Sequence, residues 1–369
     1  MRVKDLAETA PLSWEIQQRL ENQLLNMEHR TYLWLYLAME DIRSTFENSL
    51  WPAEESIQMI PPSVNEAYKK ILSRVPSNQK GTVRKVLQII VGARRPLTTA
   101  ELAMALGLAL SPQSHAAAHA GIDLLQLEKK LRRLCGLFVF INNSKIYLIH
   151  QTAREFLIQQ ASSNDLRFAY ACGLSDTENL MALICVQYLL IMDLEERETE
   201  LHASQSFLEY SAVYWADHVR NMTFLSDQDM TDRLNRLYDT SEKLFGLWFP
   251  IFWRERERSY DHIPILTPLQ LAAYNGHEQQ VSALIATDNW DVNTPDDTEI
   301  YPIIWASLNG HDKTVQILLE QGADINATSG PYRDALQAAC DAGHDKIAQM
   351  LLERGADVNA QGGDYGNAL

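Results

Sequence analysis

Apolar residues recur at helical spacing along most of this chain. Val83, Val86, Leu87 and Ile90 stand at i, i+3, i+4 and i+7, one face of a helix that Pro96 stops. Thr98 followed by Glu101 has the form of a capping box opening a second helix, with Leu102 and Leu106 inward. Leu124, Leu127, Leu131 and Leu134 mark a third. The period then shortens. Residues 136–141 and 145–149 are rich in β-branched and aromatic side chains and flank Asn142-Asn143-Ser144, which predicts a β-hairpin. Thr152-Ala153-Arg154-Glu155 predicts another capping box, for a helix running through Gln160. The flanks read as helical too. Ser63 to Glu66 caps a helix after Pro61-Pro62, and Ser175 to Glu178 caps the apolar run 180–192. Phe207, Leu208, Tyr210, Tyr214 and Trp215 suggest a further packed helix, and Arg254-Glu255-Arg256-Glu257-Arg258 a solvated linker helix.

Three helices, a hairpin and a helix in that order predict a winged-helix module over residues 81–160. The chain after it repeats itself. Gly-His recurs at 276, 310 and 343, and Leu269, Ile303, Leu336 and Leu369 keep the same phase. Residues 318–327 return almost unchanged at 351–360. Gly276 stands where a short first helix must end in a left-handed turn, and Val315, Leu318 and Leu319 form the core face of a second. A unit of this size cannot bury its own apolar face, so neighbours must stack. Over residues 266–369 the pattern resembles the ankyrin family. Thr-Pro opens only the first unit, and the His that usually follows the Leu is Gln270, Ile304 and Gln337, a departure at the position that makes the family's usual hydrogen-bond link between repeats. The resemblance implies a concave surface of first helices and turn tips that binds protein partners. Tyr274, Asn275, Trp305, Leu308, Asn309, Tyr332, Arg333 and Asp341 map to it; Trp305 has packing between repeats as its other reading.

The expected organisation is mainly α: a helical arm over 1–80, the winged helix over 81–160, a helical linker over 161–260, and ankyrin repeats over 261–369, about three with a truncated fourth. Charge follows these divisions. The chain carries 48 acids against 32 bases, a net of −16. Residues 261–369 hold 16 acids and 4 bases, whereas residues 81–160 hold 4 acids and 10 bases. Lys129, Lys130, Arg132 and Arg133 lie on the third helix away from its leucines, where a DNA-binding winged helix would enter the major groove. That is the alternative function, nucleic-acid binding; the acidic remainder argues instead for a basic face docking on an acidic part of the same protein.

Composition adds exclusions. With 46% hydrophobic and 22% charged residues the chain is globular rather than disordered. Four cysteines without a C-x-x-C pair suit a reducing compartment, and charges interrupt the first 25 residues, so the expected place is the cytoplasm, with the nucleus open. The apolar run at 180–192 is too short to span a membrane. There is no G-x-x-x-x-G-K-[ST] loop to cradle a triphosphate, no G-x-S-x-G elbow and no H-E-x-x-H. His115 and His119 have helical spacing but no third ligand. No catalytic residue, cofactor, metal or small-molecule substrate is expected.

Residues 30–35, 60–68, 91–98 and 149–157 together resemble the region that follows the NACHT NTPase in fungal NLR-like STAND proteins, and the winged segment resembles that named after GPI inositol-deacylase. The resemblance runs over about residues 28–260 and leads into the repeats. It implies the hinge and sensor of a signalling protein whose nucleotide-binding motor is absent from this sequence. It also makes His150, in Ile149-His150-Gln151, a vestigial nucleotide sensor; its plain reading is a helix cap.

Overall fold

The computed structural model describes residues 14–15, 18–19, 22, 31–48, 61–110, 124–162, 169–191, 207–223, 228–257, 262–288, 290–329 and 334–359. The protein is mainly helical, and a two-stranded antiparallel sheet is the only sheet among these residues. Two compact units divide the chain: residues 1–102 with 122–174, and residues 103–121 with 175–369.

The first unit holds α1 (Tyr32–Asn48), α2 (Val64–Ser73), α3 (Lys80–Gly92), the start of α4 (Thr99–Leu110), α5 (Leu124–Cys135), β1 (Val139–Asn142), β2 (Lys145–Leu148) and α6 (Gln151–Ser162). Asn142 pairs with Lys145, leaving Asn143 and Ser144 at φ 48° and 59°. Two successive positive φ values make the tight turn whose twist matches a hairpin. Lys145 also bridges to Thr98, so the segment before α4 adds an edge to the wing. The α4 capping box closes both ways. Thr98 N–H donates to Glu101 Oε2 (2.7 Å), and Glu101 N–H donates to Thr98 Oγ1 (3.1 Å). Ser63 likewise caps α2, accepting from Glu66 N–H. The core centres on Tyr68, Phe138 and Phe156, whose rings lie 4.7–6.3 Å apart at tilted angles.

Two caps differ from expectation. Helix α6 starts two residues early, at Gln151: Ala153 N–H bonds to His150 O, and the Thr152 hydroxyl faces Tyr68 Oη (3.0 Å). The hydroxyl serves the core contact instead of the cap. Helix α7 (Leu174–Leu189) begins before Ser175, which puts Glu178 inside the helix, where it reaches His218 Nδ1 at 2.7 Å.

The second unit continues with α8 (Leu208–Arg220), α9 (Gln228–Leu237) and α10 (Lys243–Arg256). Three helix pairs follow: α11 (Pro268–Asn275) with α12 (Glu278–Asp288), α13 (Pro302–Leu308) with α14 (Asp312–Glu320), and α15 (Ala335–Asp341) with α16 (Asp345–Glu353). Helices α11, α13 and α15 stack as one inner row, and α12, α14 and α16 as an outer row. Leu269, Ile303 and Leu336 are all buried, as like positions in a solenoid require. No helix among the described residues is long and apolar enough to cross a membrane.

Candidate protein-binding surface of the repeat array

The links between repeats come from motifs that the sequence repeats. His311 Nε2 donates to Tyr274 O (3.0 Å) and His344 Nε2 to Leu308 O (3.1 Å), each reaching back to the end of the preceding inner helix. Glycine makes room for this. A Cβ on Gly276, at φ 68°, would lie 2.5 Å from the His311 ring, and one on Gly310 would lie 2.6 Å from His344. The loss of a hydrogen-bonding side chain at Ile304 therefore leaves the stack tied. A second set of links comes from Asp-x-Asn. Each Asp folds its own turn, Asp324 Oδ1 accepting from Asn326 N–H (3.0 Å). Each Asn holds the next turn, Asn293 Oδ1 accepting from Asp324 N–H (2.7 Å) and Asn326 Oδ1 from Asp357 N–H (3.0 Å). Gln270 also contributes, closing a capping box with Thr267 and donating to Thr294 O (3.0 Å).

The same pattern runs backward past the first repeat. His277 Nε2 donates to Ala216 O on α8 (2.9 Å), the bond that His311 makes to α11. Its Nδ1 accepts from the Tyr238 hydroxyl, and Gln280 donates to Asn235 on α9 (2.9 Å). These bonds tie α11 and α12 back to α8 and α9. Burial pushes the His277 pKa down to about 3, and that of His311 to about 4 with the nearby Arg220 charge adding to it. Burial thus favours the neutral form of both rings, and the bond that His277 Nδ1 accepts requires it.

Helix α10 has no counterpart in the other repeats. Its side chains form an aromatic line: Trp248 meets Trp215 edge-on at 5.5 Å, while Trp253 packs on Tyr274 at 5.2 Å and Trp305 at 5.6 Å. Polar contacts fasten its end. Arg256 donates to Asp217 Oδ2 (2.6 Å) and Val213 O (3.1 Å), and the Tyr274 hydroxyl donates to Glu257 (2.7 Å). Burial raises the Glu257 and Tyr274 pKa values. The helix expected to be solvated is therefore anchored at Arg256 and Glu257, and only Arg254 and Glu255 are exposed. Alternating charge at 254–258 concealed the aromatic face that precedes it.

This arrangement sorts the surface residues expected from the sequence. Tyr274 and Asn275, 3% and 0% exposed, lie beneath α10 and the Arg220 side chain, which donates to Asn275 O (2.9 Å). Trp305 is buried too, its Nε1 donating to Asp296 Oδ2 (2.8 Å), and serves packing between repeats. None of the three offers side-chain surface to a partner. Leu308 and Asn309 are half-exposed, and Asp341 is exposed. Tyr332 and Arg333 lie outside the described residues, as do His115 and His119.

The other candidates sit in the first unit. Lys129, Lys130, Arg132 and Arg133 are all exposed on α5, opposite buried Leu127 and Leu131. His150 is exposed at the start of α6, its Nδ1 accepting from Thr152 N–H (3.2 Å) as a helix cap does. It borders a cleft of about 260 Å³ that Arg94, Arg95 and Arg154 also line, but Arg95 is held in a two-point ion pair with Glu101 (2.7 and 2.9 Å). Of the four cysteines, Cys172 and Cys185 are buried and burial pushes the Cys135 pKa up to about 12; Cys340 is exposed, with its pKa raised by partial burial and by the nearby Asp341, Asp334 and Asp345.

Family models match three parts of the chain: ankyrin repeats in three copies over residues 269–362, the GPI inositol-deacylase winged helix domain over 72–171, and a domain of unknown function (DUF7069) over 1–50. The azaphilone pigments biosynthesis cluster protein L of Monascus ruber is 30% identical over 296 residues, covering 73% of this chain and 61% of that protein. Vegetative incompatibility protein HET-E-1 of Podospora anserina is 22% identical over 249 residues, 60% of this chain and 17% of that protein. Palmitoyltransferase akr1 of Schizosaccharomyces pombe is 39% identical over 67 residues, 18% and 10% of the two chains. The chain thus spans less than two thirds of each relative. Ankyrin repeats, a winged helix of the GPI inositol-deacylase type and two fungal relatives together support the likeness to the C-terminal region of fungal NLR-like proteins.

Proposed function

We propose that this chain is a non-catalytic protein–protein interaction module, the sensor and hinge portion of an NLR-like signalling protein, whose ankyrin array grips a protein partner by its inner row. One observation carries the reading. The inner row turns from fully covered at Tyr274 and Asn275 to open at Leu308, Asn309 and Asp341, while the stacking bonds beneath it stay the same. An open, rigid, regularly spaced face is what repeat arrays use to bind. The division into arm, winged helix, helical segment and repeats belongs to this proposal, as does a cytoplasmic setting. The winged helix would act as the hinge, and His150 as its helix cap.

The test is a bait experiment with the full chain, comparing wild type with Leu308→Asp and Asp341→Lys after a thermal melt shows both folded. Proteins crosslinked by wild type and lost from both variants support the reading. Retention of every crosslinked protein by both variants sinks it. NTP turnover by the purified chain would overturn the non-catalytic part.

A further inference from the structure

The inner row of the second unit already holds a ligand of its own. Helix α10 runs along it from Trp215 on α8 to Trp305 on α13 and presents apolar rings to the row. At its end an arginine meets an acid of the row: Arg256 pairs with Asp217, one residue past the carbonyl that His277 uses. Asp217 on α8 therefore has the phase of Asn275 on α11 and Asn309 on α13. The built-in helix shows what this face takes, an amphipathic helix whose apolar side chains lie on the row and whose guanidinium finds a carboxylate.

Beyond Trp305 the inner helices stay buried through Ser307 and from Ala335 to Ala339, and they open only at their ends, at Leu308 and Asn309 on α13 and at Cys340 and Asp341 on α15. Leu308 is half-exposed, and Asp341, which has the phase of Leu308 on α15 and stands one residue before that of Asp217, is exposed and makes no ion pair among the described residues. Helices α11, α13 and α15 contain no Lys or Arg. The bases described in the array, Lys313, Lys346 and Arg354, belong to the outer row and its turn, and the first two pair with Glu278 and Asp312. Residues 261–369 carry 16 acids against 4 bases. Nothing on the described inner helices would repel a cation.

We propose that α10 is a fixed occupant marking the inner border of the partner site, and that the open inner-helix ends at Leu308 and Asp341 take a cationic amphipathic helix of another protein. The helix would continue the line of α10, resting apolar side chains on Leu308 and giving an arginine or lysine to Asp341. Charge-assisted pairing at the exposed Asp341 supplies preference, and the apolar contact supplies area. This rests on the inner row being the binding face.

The experiment uses the full chain and two fluorescent helical peptides built from Leu and Ala, one with Arg on its polar face and one with Glu. Anisotropy at physiological salt should show binding of the Arg peptide and not the Glu peptide. Asp341→Lys and Leu308→Arg should each weaken it about tenfold, the equivalent of one such contact. Glu353→Lys makes the same charge change in the last turn of α16, in the outer row, and should leave binding within about twofold. A photo-reactive group on the peptide should mark residues 301–342 and not 266–276. Equal weakening by Glu353→Lys would reduce the effect to general attraction and overturn the site. Marks at Tyr274 would overturn the border that α10 sets. Preference for the Glu peptide, or binding of neither, would overturn the cationic partner while leaving the bait experiment to judge the inner row.

Discussion

The first and third repeats carry the same skeleton and opposite surfaces. Gly276 and Gly343 both end the inner helix at positive φ, and Leu269 and Leu336 fill the same core site. Yet Tyr274 is sealed under Trp253 and Phe252, whereas Asp341 faces solvent. A repeat motif specifies how a unit joins its neighbours. Whether its remaining face meets water or protein depends on what else the chain lays across it, and α10 lies across one end only.

Removing the covering helix's main contact should break that contrast. Trp253→Ala deletes a buried ring that touches Tyr274 and Trp305, with an expected cost of about 3–5 kcal/mol in urea unfolding. It should also raise quencher access to the remaining tryptophans.

Acid should act at the covered end as well. His277 and His311 have folded pKa values of about 3 and about 4, below the ordinary 6.5. The unfolded chain then binds more protons, so stability is full above about pH 6.5 and falls as pH drops toward the folded values. The slope is about 1.4 kcal/mol per pH unit for each histidine. Unfolding midpoints measured from pH 7 to pH 4.5 should fall, and His311→Gln should flatten the decline.

Glycine separates the two ends more finely. Gly276→Ala meets the His311 ring as well as an unfavourable φ, and should cost about 3 kcal/mol; Gly343→Ala has open space around it and should cost about 1 kcal/mol. The smallest effect belongs to Asp341→Ala, within about 0.5 kcal/mol, as a solvated side chain should give. A large cost there would mean the third repeat is covered too.

Much of this was legible beforehand. Gly-His, the Leu phase and Asp-x-Asn specify the repeats, and the hairpin at Asn143-Ser144 follows from its turn residues. The caps of α6 and α7 were misplaced because Thr152 and Glu178 have distant partners, Tyr68 and His218, that local spacing does not reveal. The site was legible only in outline. Tyr274, Asn275 and Trp305 have the right phase for a surface, and no periodic signal says that a helix some 20 to 50 residues earlier will cover them. The tie from the array to α8 and α9 was hidden for a related reason: the bond from His277 ends on a backbone carbonyl, which any residue at Ala216 would supply.

The sequence by itself determined the local terms: which segments are helical, where glycine must bend the chain, and which faces need a neighbour. Those depend on residues a few positions apart, and their energies are present in any stretch that contains them. Tertiary structure alone decided which of several equivalent faces stayed open, because burial is settled by the whole set of apolar surfaces competing for one another. Helix α10, with its row of aromatic rings, won the place beside α8 and α11, and the acid at 341 was left to the solvent.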